Sequence, residues 1–170
     1  MEPKTVRRDD GMLPARHLES LGGHPAPLNA LVAGTTVLTL DGALPVEVLS
    51  PGDRVITRDC GAVAVTALQR FTRTVPLVAI RAGCMGNSRP EGDLLLPERQ
   101  EILLRGWRAS ALFGARRALV PLSRIIDGHF VSRVGPRLVP LVALCFEAPH
   151  ILYADGLELA SATPREAGRR

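Results

Sequence analysis

The chain has 170 residues, of which 46% are hydrophobic and 22% charged, a balance that is ordinary for a folded protein with one buried core. Its formal net charge is +4, but the basic residues, all Arg except Lys4, are scattered and do not alternate with aromatic residues, which argues against a nucleic-acid partner. Every apolar run is cut by Pro, Arg or Glu before it reaches the length of a membrane span, so we expect no membrane partner and a soluble, by default cytoplasmic, protein.

Residues 1–29 differ from the rest, because basic and acidic side chains are mixed there without the continuous apolar core of a signal peptide. We expect a loosely ordered N-terminal extension, with a weak helical pattern at Pro14–Leu21. Residues 30–162 form the predicted folded domain. Residues 163–170 are polar and predict a flexible tail.

The first part of the predicted domain has the pattern of a β meander. Val37–Leu40 is a short strand of β-branched and aliphatic residues, and Asp41-Gly42 suits the positive φ angles of a tight turn. The chain then returns as a second predicted strand over Leu44–Leu49. Pro51-Gly52-Asp53 turns it again, and a third strand is expected over Arg54–Arg58.

Farther along the chain, 14 prolines and 16 glycines interrupt the apolar runs before they reach a comfortable helix length. Ala109–Ala118 is the best candidate for a helix in this part of the sequence. The core must be built mainly from Val, Leu and Ile, because aromatic residues make up only 4% of the chain. The predicted fold class is therefore all-β, with many short strands and at most one or two short helices.

The order of these signals resembles a Hint domain, the self-processing module of hedgehog C-terminal regions and inteins, and is nearest to a bacterial Hint subfamily. The resemblance rests on Gly34-Thr35, Asp41-Gly42, Pro45-Val-Glu47 and Pro51-Gly-Asp53, and it covers roughly Ala30 to Ser161. It implies the Hint fold and, in an active member, autocatalytic cleavage of the peptide bond that precedes the domain. Further matching motifs are Arg81-Ala-Gly83, Asp93-Leu94, Leu103-Leu104, Gly106-Trp-Arg-Ala109, Leu112-Phe-Gly114, Leu119-Val-Pro121, Phe146 and Tyr153-Ala-Asp-Gly156.

Two active-site positions of that family hold unreactive residues in this chain. In the family, a Cys stands four residues before the Gly-Thr pair, and its thiol attacks the preceding carbonyl to form a thioester. This chain has Ala30 there. The family's His, which polarises the scissile amide and protonates its leaving nitrogen, aligns with Gln100, whose amide cannot carry a proton near neutral pH.

A third family position, the His of a Phe-x-x-His-Glu segment, is also changed. The segment appears here as Phe146 to His150, with Pro149 in the His position and His150 one place late. A slip of one residue along a strand points a side chain to the opposite face, unless a bulge restores its direction. His150 is therefore either a displaced Hint histidine or a structural residue in a turn.

The cysteines and the other histidines indicate no cofactor and no metal site. Cys60, Cys84 and Cys145 are an odd number without a C-x-x-C pair, and His17 and His24 have no second ligand at suitable spacing. We expect Cys145 to be a buried strand thiol and Cys60 to be more exposed.

Two function classes remain open. In the first, the protein is a catalytically inactive Hint-like module that binds an unknown protein or peptide partner, for example by strand addition, and has no catalytic residues. In the second, it is a self-processing autopeptidase that cleaves near Asn29-Ala30 by an altered mechanism, for which Thr35 and His150 are the weak candidates. The partner and the oligomeric state stay open from the sequence.

Overall fold

The structure, a computed structural model, describes residues 12–13 and 28–163. The predicted helical pattern at Pro14–Leu21, most of the predicted extension and the tail beyond residue 163 lie outside these residues. No helix in the described part of the chain is long and apolar enough to cross a bilayer. The strands in chain order are β1 (Met12–Leu13), β2 (Leu31–Val32), β3 (Thr36–Thr39), β4 (Gly42–Pro45), β5 (Arg54–Thr57), β6 (Gly61–Ala64), β7 (Ala67–Ile80), β8 (Leu94–Pro97), β9 (Glu101–Arg105), β10 (Arg117–Pro121), β11 (Val131–Cys145), β12 (Ile151–Ala154) and β13 (Leu157–Ala160).

The strands form two sheets, and the sequence-based expectation of an all-β fold is confirmed. Within the described residues, the larger sheet has the order β1-β10-β9-β13-β12-β3-β5-β6, with β4 attached to β3, and the smaller sheet has the order β2-β11-β7-β8. A single α-helix, α1 (Trp107–Phe113), and two 3-10 helices, Val46–Val48 and Leu122–Arg124, complete the described residues. Strand β2 places the start of the predicted domain in the smaller sheet.

The core lies on the inner faces of the strands, as their alternating burial shows. In β3, Val37 and Thr39 are buried while Leu38 is exposed, and β5 buries Val55 and Thr57 in the same way. This alternation follows from the two-residue period of a strand, which sends successive side chains to opposite faces. Aliphatic side chains from both sheets fill the main core around Phe146.

The second predicted strand, Leu44–Leu49, is wrong in its second half. The strand ends at Pro45, whose φ of −56° and ψ of 136° lead into a 3-10 helix over Val46–Val48. That turn buries Val46 and Leu49, and the Leu49 carbonyl accepts a hydrogen bond from Arg70 Nη2 at 2.6 Å. Burial of the two apolar side chains outweighs the β preference of the valines in this stretch.

The predicted helix at Ala109–Ala118 is also shifted. Helix α1 begins at Trp107 and ends at Phe113, because Gly114 adopts a left-handed φ of 65° and closes the last turn through its N–H. Arg117 and the residues after it pair with β9 in the larger sheet.

Two strands, β7 and β11, are 14 and 15 residues long, although the sequence predicts short strands. They contain prolines whose missing N–H groups do not interrupt the pairing between the two strands. Pro76 lies opposite Pro136, and its carbonyl faces away from β11 to accept a hydrogen bond from Glu98 N at 2.8 Å. Pro140 likewise faces β2, where it accepts from Ala33 N. In an antiparallel strand the N–H and C=O of one residue point the same way, so proline is tolerated at outward-facing positions.

Candidate functional site

The residues that align with the Hint reaction centre are deeply buried. Ala30 is 1% exposed and packs among apolar side chains of the smaller sheet, including Val75 and Leu77. The preceding residues are bound to the fold by their backbones, since Leu28 N donates to the Arg99 carbonyl at 3.2 Å. Ala30 presents only a methyl group at this position, so its side chain carries no atom that could attack a carbonyl.

A reciprocal pair of hydrogen bonds holds Asn29, the residue that precedes Ala30. Asn29 is 4% exposed, and its Nδ2 donates to Glu101 Oε2 at 2.9 Å while its Oδ1 accepts from Glu101 N at 3.0 Å. Both side chains are buried, so breaking either bond would leave a desolvated polar group. The sequence indicated Asn29 only as the residue before the candidate cleavage point, and it did not indicate Glu101.

Gln100 is fully buried, with 0% exposure, at the position of the family's His. Its Nε2 donates to the carbonyls of Glu101 and Ala160, at 2.9 and 3.0 Å. A primary amide has two N–H donors, and both are therefore used on backbone acceptors. The Oε1 atom has no hydrogen-bond partner within the described residues.

The two weak catalytic candidates, Thr35 and His150, lie at opposite ends of β12. Thr36, next to Thr35, is beside Asp155, since its Oγ1 donates to Asp155 Oδ1 at 2.6 Å and its carbonyl accepts from Asp155 N at 2.9 Å. His150 lies five residues earlier in the chain. With a strand rise of about 3.3 Å per residue, this corresponds to roughly 15 Å. The structure therefore does not bring these two candidates into direct contact.

Thr35 serves the turn that precedes β3 through its backbone. Its N–H donates to the Val32 carbonyl at 3.1 Å, and its own carbonyl accepts from Val46 N at 2.8 Å. In the same turn, Glu47 Oε2 accepts from Gly34 N at 2.7 Å, and this hydrogen bond lowers the pKa of the Glu47 carboxyl. Gly34 has a φ of 94°, which explains the need for glycine at this corner.

His150 belongs to a cluster of three polar side chains beside the turn between β5 and β6 and the start of β12. Its Nδ1 lies 2.7 Å from Asp59 Oδ2, and the other oxygen of Asp59 accepts from Ile151 N at 3.1 Å. Cys60 completes the cluster, in which one ligand atom from each residue lies within 4.8 Å of the others. The carboxylate that contacts His150 thus comes from a hairpin turn 91 residues away along the chain.

The segment before β12 is irregular, so the expected effect of a one-residue strand slip does not apply to His150. Residues 147–150 lie outside any strand, and the His150 ring packs edge-on against Phe146 with ring centres 5.6 Å apart. The backbone at this point is held by Ser161, because His150 N donates to Ser161 Oγ at 3.0 Å. His150 and Gln100 therefore contact the same short segment, Ala160–Ser161, from neighbouring strands on its two sides.

A separate polar cleft of about 1060 Å³ opens between the larger sheet and the loop around residues 85–94. Its wall includes side chains of both charges, and Arg105 forms an ion pair of 2.8 Å with Glu158 within it. Ala30, Gln100 and His150 do not line this cleft. Further charged residues of its lining are Arg89, Glu91, Asp93, Arg108 and Asp155.

The three cysteines differ in exposure as the sequence indicated for two of them. Cys145 is buried at the end of β11, Cys60 is exposed in the turn between β5 and β6, and Cys84 is half-buried. Burial raises the pKa of the Cys84 thiol. No sequence pattern connects Cys60 with His150, because only the pairing of β5 with β12 brings their segments together.

Comparison with known proteins gives one family and several similar structures. A family model described as "Hint domain" matches residues 29–166. The solution structure of a bacterial intein-like domain from Clostridium thermocellum is similar at a TM-score of 0.52 and 14% identity, over 80% of this chain and all of that one. The crystal structure of a variant MchDnaB-1 intein gives a TM-score of 0.52 at 15% identity, over 78% of this chain and all of that one. The crystal structure of a variant gp41-1 intein gives a TM-score of 0.51 at 12% identity, over 78% of this chain and 98% of that one. No curated protein sequence shows significant similarity to this chain.

Proposed function

Because this chain belongs to the Hint domain family, we propose that it is a catalytically inactive member that acts as a binding or scaffold module. The observation that carries the proposal is Ala30, a buried methyl side chain at the position where the family's chemistry needs a nucleophile. An acyl shift requires a sulfur or oxygen atom to attack the carbonyl of residue 29, and Ala30 offers neither.

Besides the missing nucleophile at Ala30, the chain has Gln100 in place of the His that activates the scissile peptide bond in the family. Both amide hydrogens of this side chain are used on the carbonyls of Glu101 and Ala160. None is left to polarise the carbonyl of a scissile bond, and an amide cannot protonate a leaving nitrogen. The fixed side chain of Asn29 further supports a structural role for this centre, since the bond between Asn29 and Ala30 is held in the core.

The polar cleft is the surface best suited to a partner. It is large enough for several residues of an extended peptide, and it presents Arg and Asp or Glu side chains within one concave wall. Such a wall matches a peptide that carries charges of both signs. We therefore expect a protein or peptide segment, and not a small apolar ligand, as the partner.

Intact-mass measurement tests the absence of cleavage. The full-length protein, with a bulky tag before Met1, is incubated with and without added thiol and sampled into a denaturing solvent over days. The expected result is one stable mass. A break between Asn29 and Ala30 that survives dilution and protease inhibitors would overturn the proposal in favour of self-processing by an altered mechanism.

A double substitution, Ala30→Cys with Gln100→His, tests the assignment of these two positions. If they occupy the family's reaction centre, thiol-dependent cleavage before residue 30 is expected to appear. The single variants serve as controls, because each still lacks one of the two groups that the reaction needs.

Binding is tested with a library of mixed-charge peptides displayed against the immobilised protein. A selected peptide is then measured against Arg89→Glu, which reverses a charge in the cleft, and against Arg73→Glu, an exposed residue of β7 that does not line it. We expect at least a tenfold loss (about 1.4 kcal/mol) for the cleft variant. Equal affinities for both variants would exclude the cleft as the binding surface.

A further inference from the structure

The cluster of Asp59, Cys60 and His150 has the composition of a metal site. It combines a carboxylate, a thiol and an imidazole, one atom of each lying within 4.8 Å of the other two. These are the three side-chain types that bind zinc and similar divalent transition ions. None of the three residues lines the polar cleft.

The turn that carries Asp59 and Cys60 is held in place by a buried threonine. Thr57 Oγ1 donates to the Gly61 carbonyl at 2.8 Å and accepts from Cys60 N at 3.1 Å. The same turn is joined to the start of β12, because Arg58 N donates to the Ile151 carbonyl at 2.8 Å. Hydrogen bonds on both sides of the turn therefore keep it beside His150, while the exposed side chains of Asp59 and Cys60 have room for small movements.

His150 is anchored more firmly than the other two residues. Its side chain is 9% exposed, whereas that of Asp59 is 41% exposed. The imidazole packs on Phe146, and the backbone is bonded to Ser161. The site thus has one rigid ligand on the domain side and two accessible ligands on a turn that can adjust to an arriving ion.

We propose that Asp59, Cys60 and His150 form a binding site for a divalent transition-metal ion of the zinc type. On binding, the His150 ring nitrogen and the Asp59 carboxylate contact the ion and no longer each other, and the Cys60 sulfur binds it as a thiolate, with the displaced protons released to water. Ligand atoms of a tetrahedral zinc site lie about 3–4 Å apart, as follows from bond lengths of about 2.0–2.3 Å. A movement of about 1 Å at the exposed turn is enough to bring the three atoms to these distances.

Three protein ligands leave one tetrahedral position for water or for a group from a partner. Sites that are closed by four protein ligands are structural, whereas sites with three ligands keep an exchangeable position. The exposure of Asp59 and Cys60 places that position toward solvent. Metal binding at this site does not depend on whether the domain cleaves a peptide bond, so the two proposals are tested separately.

Cobalt(II) titration of the full-length, reduced protein tests the site, because a thiolate ligand gives cobalt a strong charge-transfer absorption. We expect one ion per chain and the thiolate band in the unsubstituted protein. Cys60→Ser should lower the affinity at least about 100-fold and abolish the band, since even outer-shell losses cost about 10–100-fold. Cys84→Ser, at a half-buried thiol outside the cluster, should leave both unchanged.

His150→Gln and Asp59→Asn complete the test at the other two ligands. Each is expected to lower the cobalt affinity by a similar factor, and zinc is expected to raise the melting temperature of the unsubstituted protein but not of Cys60→Ser. If His150→Gln does not fold, Asp59→Asn and Cys60→Ser at the exposed turn carry the test. Absence of cobalt binding at millimolar concentration, or a thiolate band that persists in Cys60→Ser, would overturn the proposal.

Discussion

Two regions on either side of the Ala160–Ser161 segment have opposite chemical characters. On one side, Gln100 is fully buried and gives both amide hydrogens to backbone carbonyls. On the other, His150 faces Asp59 and Cys60 on an exposed turn. The buried centre is closed to solvent, whereas the cluster has two of its three side chains, Asp59 and Cys60, exposed to it.

The two regions also differ in how their side chains contact the rest of the protein and the solvent. In the centre around Ala30, the side chains of Asn29 and Gln100 are hydrogen-bonded to other parts of the fold. At the turn between β5 and β6, Asp59 and Cys60 lie at the surface, where water and ions can reach them. Four substitutions test this comparison between the buried centre and the cluster, one of them as a surface reference. They are given in decreasing order of their expected effect on stability.

Phe146→Ala removes a side chain that supports both regions. Phe146 is 1% exposed and packs on the ring of His150. We expect a loss of about 3–5 kcal/mol in the free energy of unfolding, because a large cavity is left in the core. Urea denaturation followed by circular dichroism measures it. Phe130→Ala, at a half-exposed ring, is the matched control and should cost far less. Equal losses in the two variants would contradict the described core.

Asn29→Ala breaks the buried centre alone. The substitution removes the Nδ2 donor to Glu101 Oε2 and the Oδ1 acceptor of the Glu101 backbone N–H. A loss of about 1–3 kcal/mol is expected, the cost of leaving a buried hydrogen-bonding group without its partner. Chemical denaturation compares it with Glu91→Ala in an exposed loop, for which little change is expected. If Asn29→Ala were as stable as the parent protein, the upstream residue would not be anchored as described.

Asp127 has a surface carboxylate with local hydrogen bonds. Asp127→Ala therefore serves as a reference for the buried hydrogen bonds between Asn29 and Glu101. The Oδ1 atom of Asp127 accepts from the N–H groups of His129, Phe130 and Val131 at 2.8, 2.8 and 3.0 Å. We expect a loss of about 1–2 kcal/mol at neutral pH, less than for a buried partner because water replaces the lost bonds.

The same carboxylate gives a pH dependence with a defined sign. Hydrogen bonds from Val131, and then from His129 and Phe130, lower the pKa of Asp127, partly offset by its desolvation. The folded chain therefore binds this proton less readily than the unfolded chain. The stabilisation is fully present above the ordinary Asp pKa of about 3.9 and is lost as the pH falls through the lower folded value. The difference in stability between the parent protein and Asp127→Ala should accordingly shrink in acid, as measured by denaturation at several pH values.

Cys60→Ser should have the smallest effect on stability, within about 0.5 kcal/mol, because the side chain is exposed. Cys145→Ser is the matched comparison, since it places a hydroxyl at a buried position and should cost about 1–3 kcal/mol. A thiol reagent provides an independent measurement. Cys60 is expected to react in the native protein, and Cys145 only after unfolding. Rapid native labelling of Cys145 would show that the end of β11 opens.

Local signals in the sequence predict much of the fold. The Pro-Gly-Asp turn appears where expected, and β3 and β5 follow the predicted strands closely, because two-residue alternation and turn residues act over short distances. The first hairpin turns one residue earlier than predicted, at Leu40-Asp41, and of the Asp41-Gly42 pair only Gly42 has a positive φ. The second predicted strand fails at Val46, where burial of the side chain against the core decides the conformation. The early end of α1 at Gly114 is marked in the sequence by the glycine itself, but this signal competes with a continuous helical pattern.

The site was predictable only where a residue could be compared with a family position. Ala30 and Gln100 were identified in this way. Asp59 and Cys60 were not, because their contact with His150 depends on a strand pairing between distant parts of the chain. The anchoring of Asn29 by Glu101, 72 residues away, was invisible for the same physical reason.

The parallel pairing of β1 with β10 bears on whether the residues before Ala30 would stay bound to the domain after a cleavage. Met12–Leu13 extend the larger sheet beside Arg117 and Ala118, and Asn29 is bound to Glu101 at the other end of the segment. Residues on the upstream side of Ala30 are thus attached at two separate points by non-covalent bonds. After hydrolysis of the bond between Asn29 and Ala30, these contacts would still join the upstream piece to the domain and oppose its release.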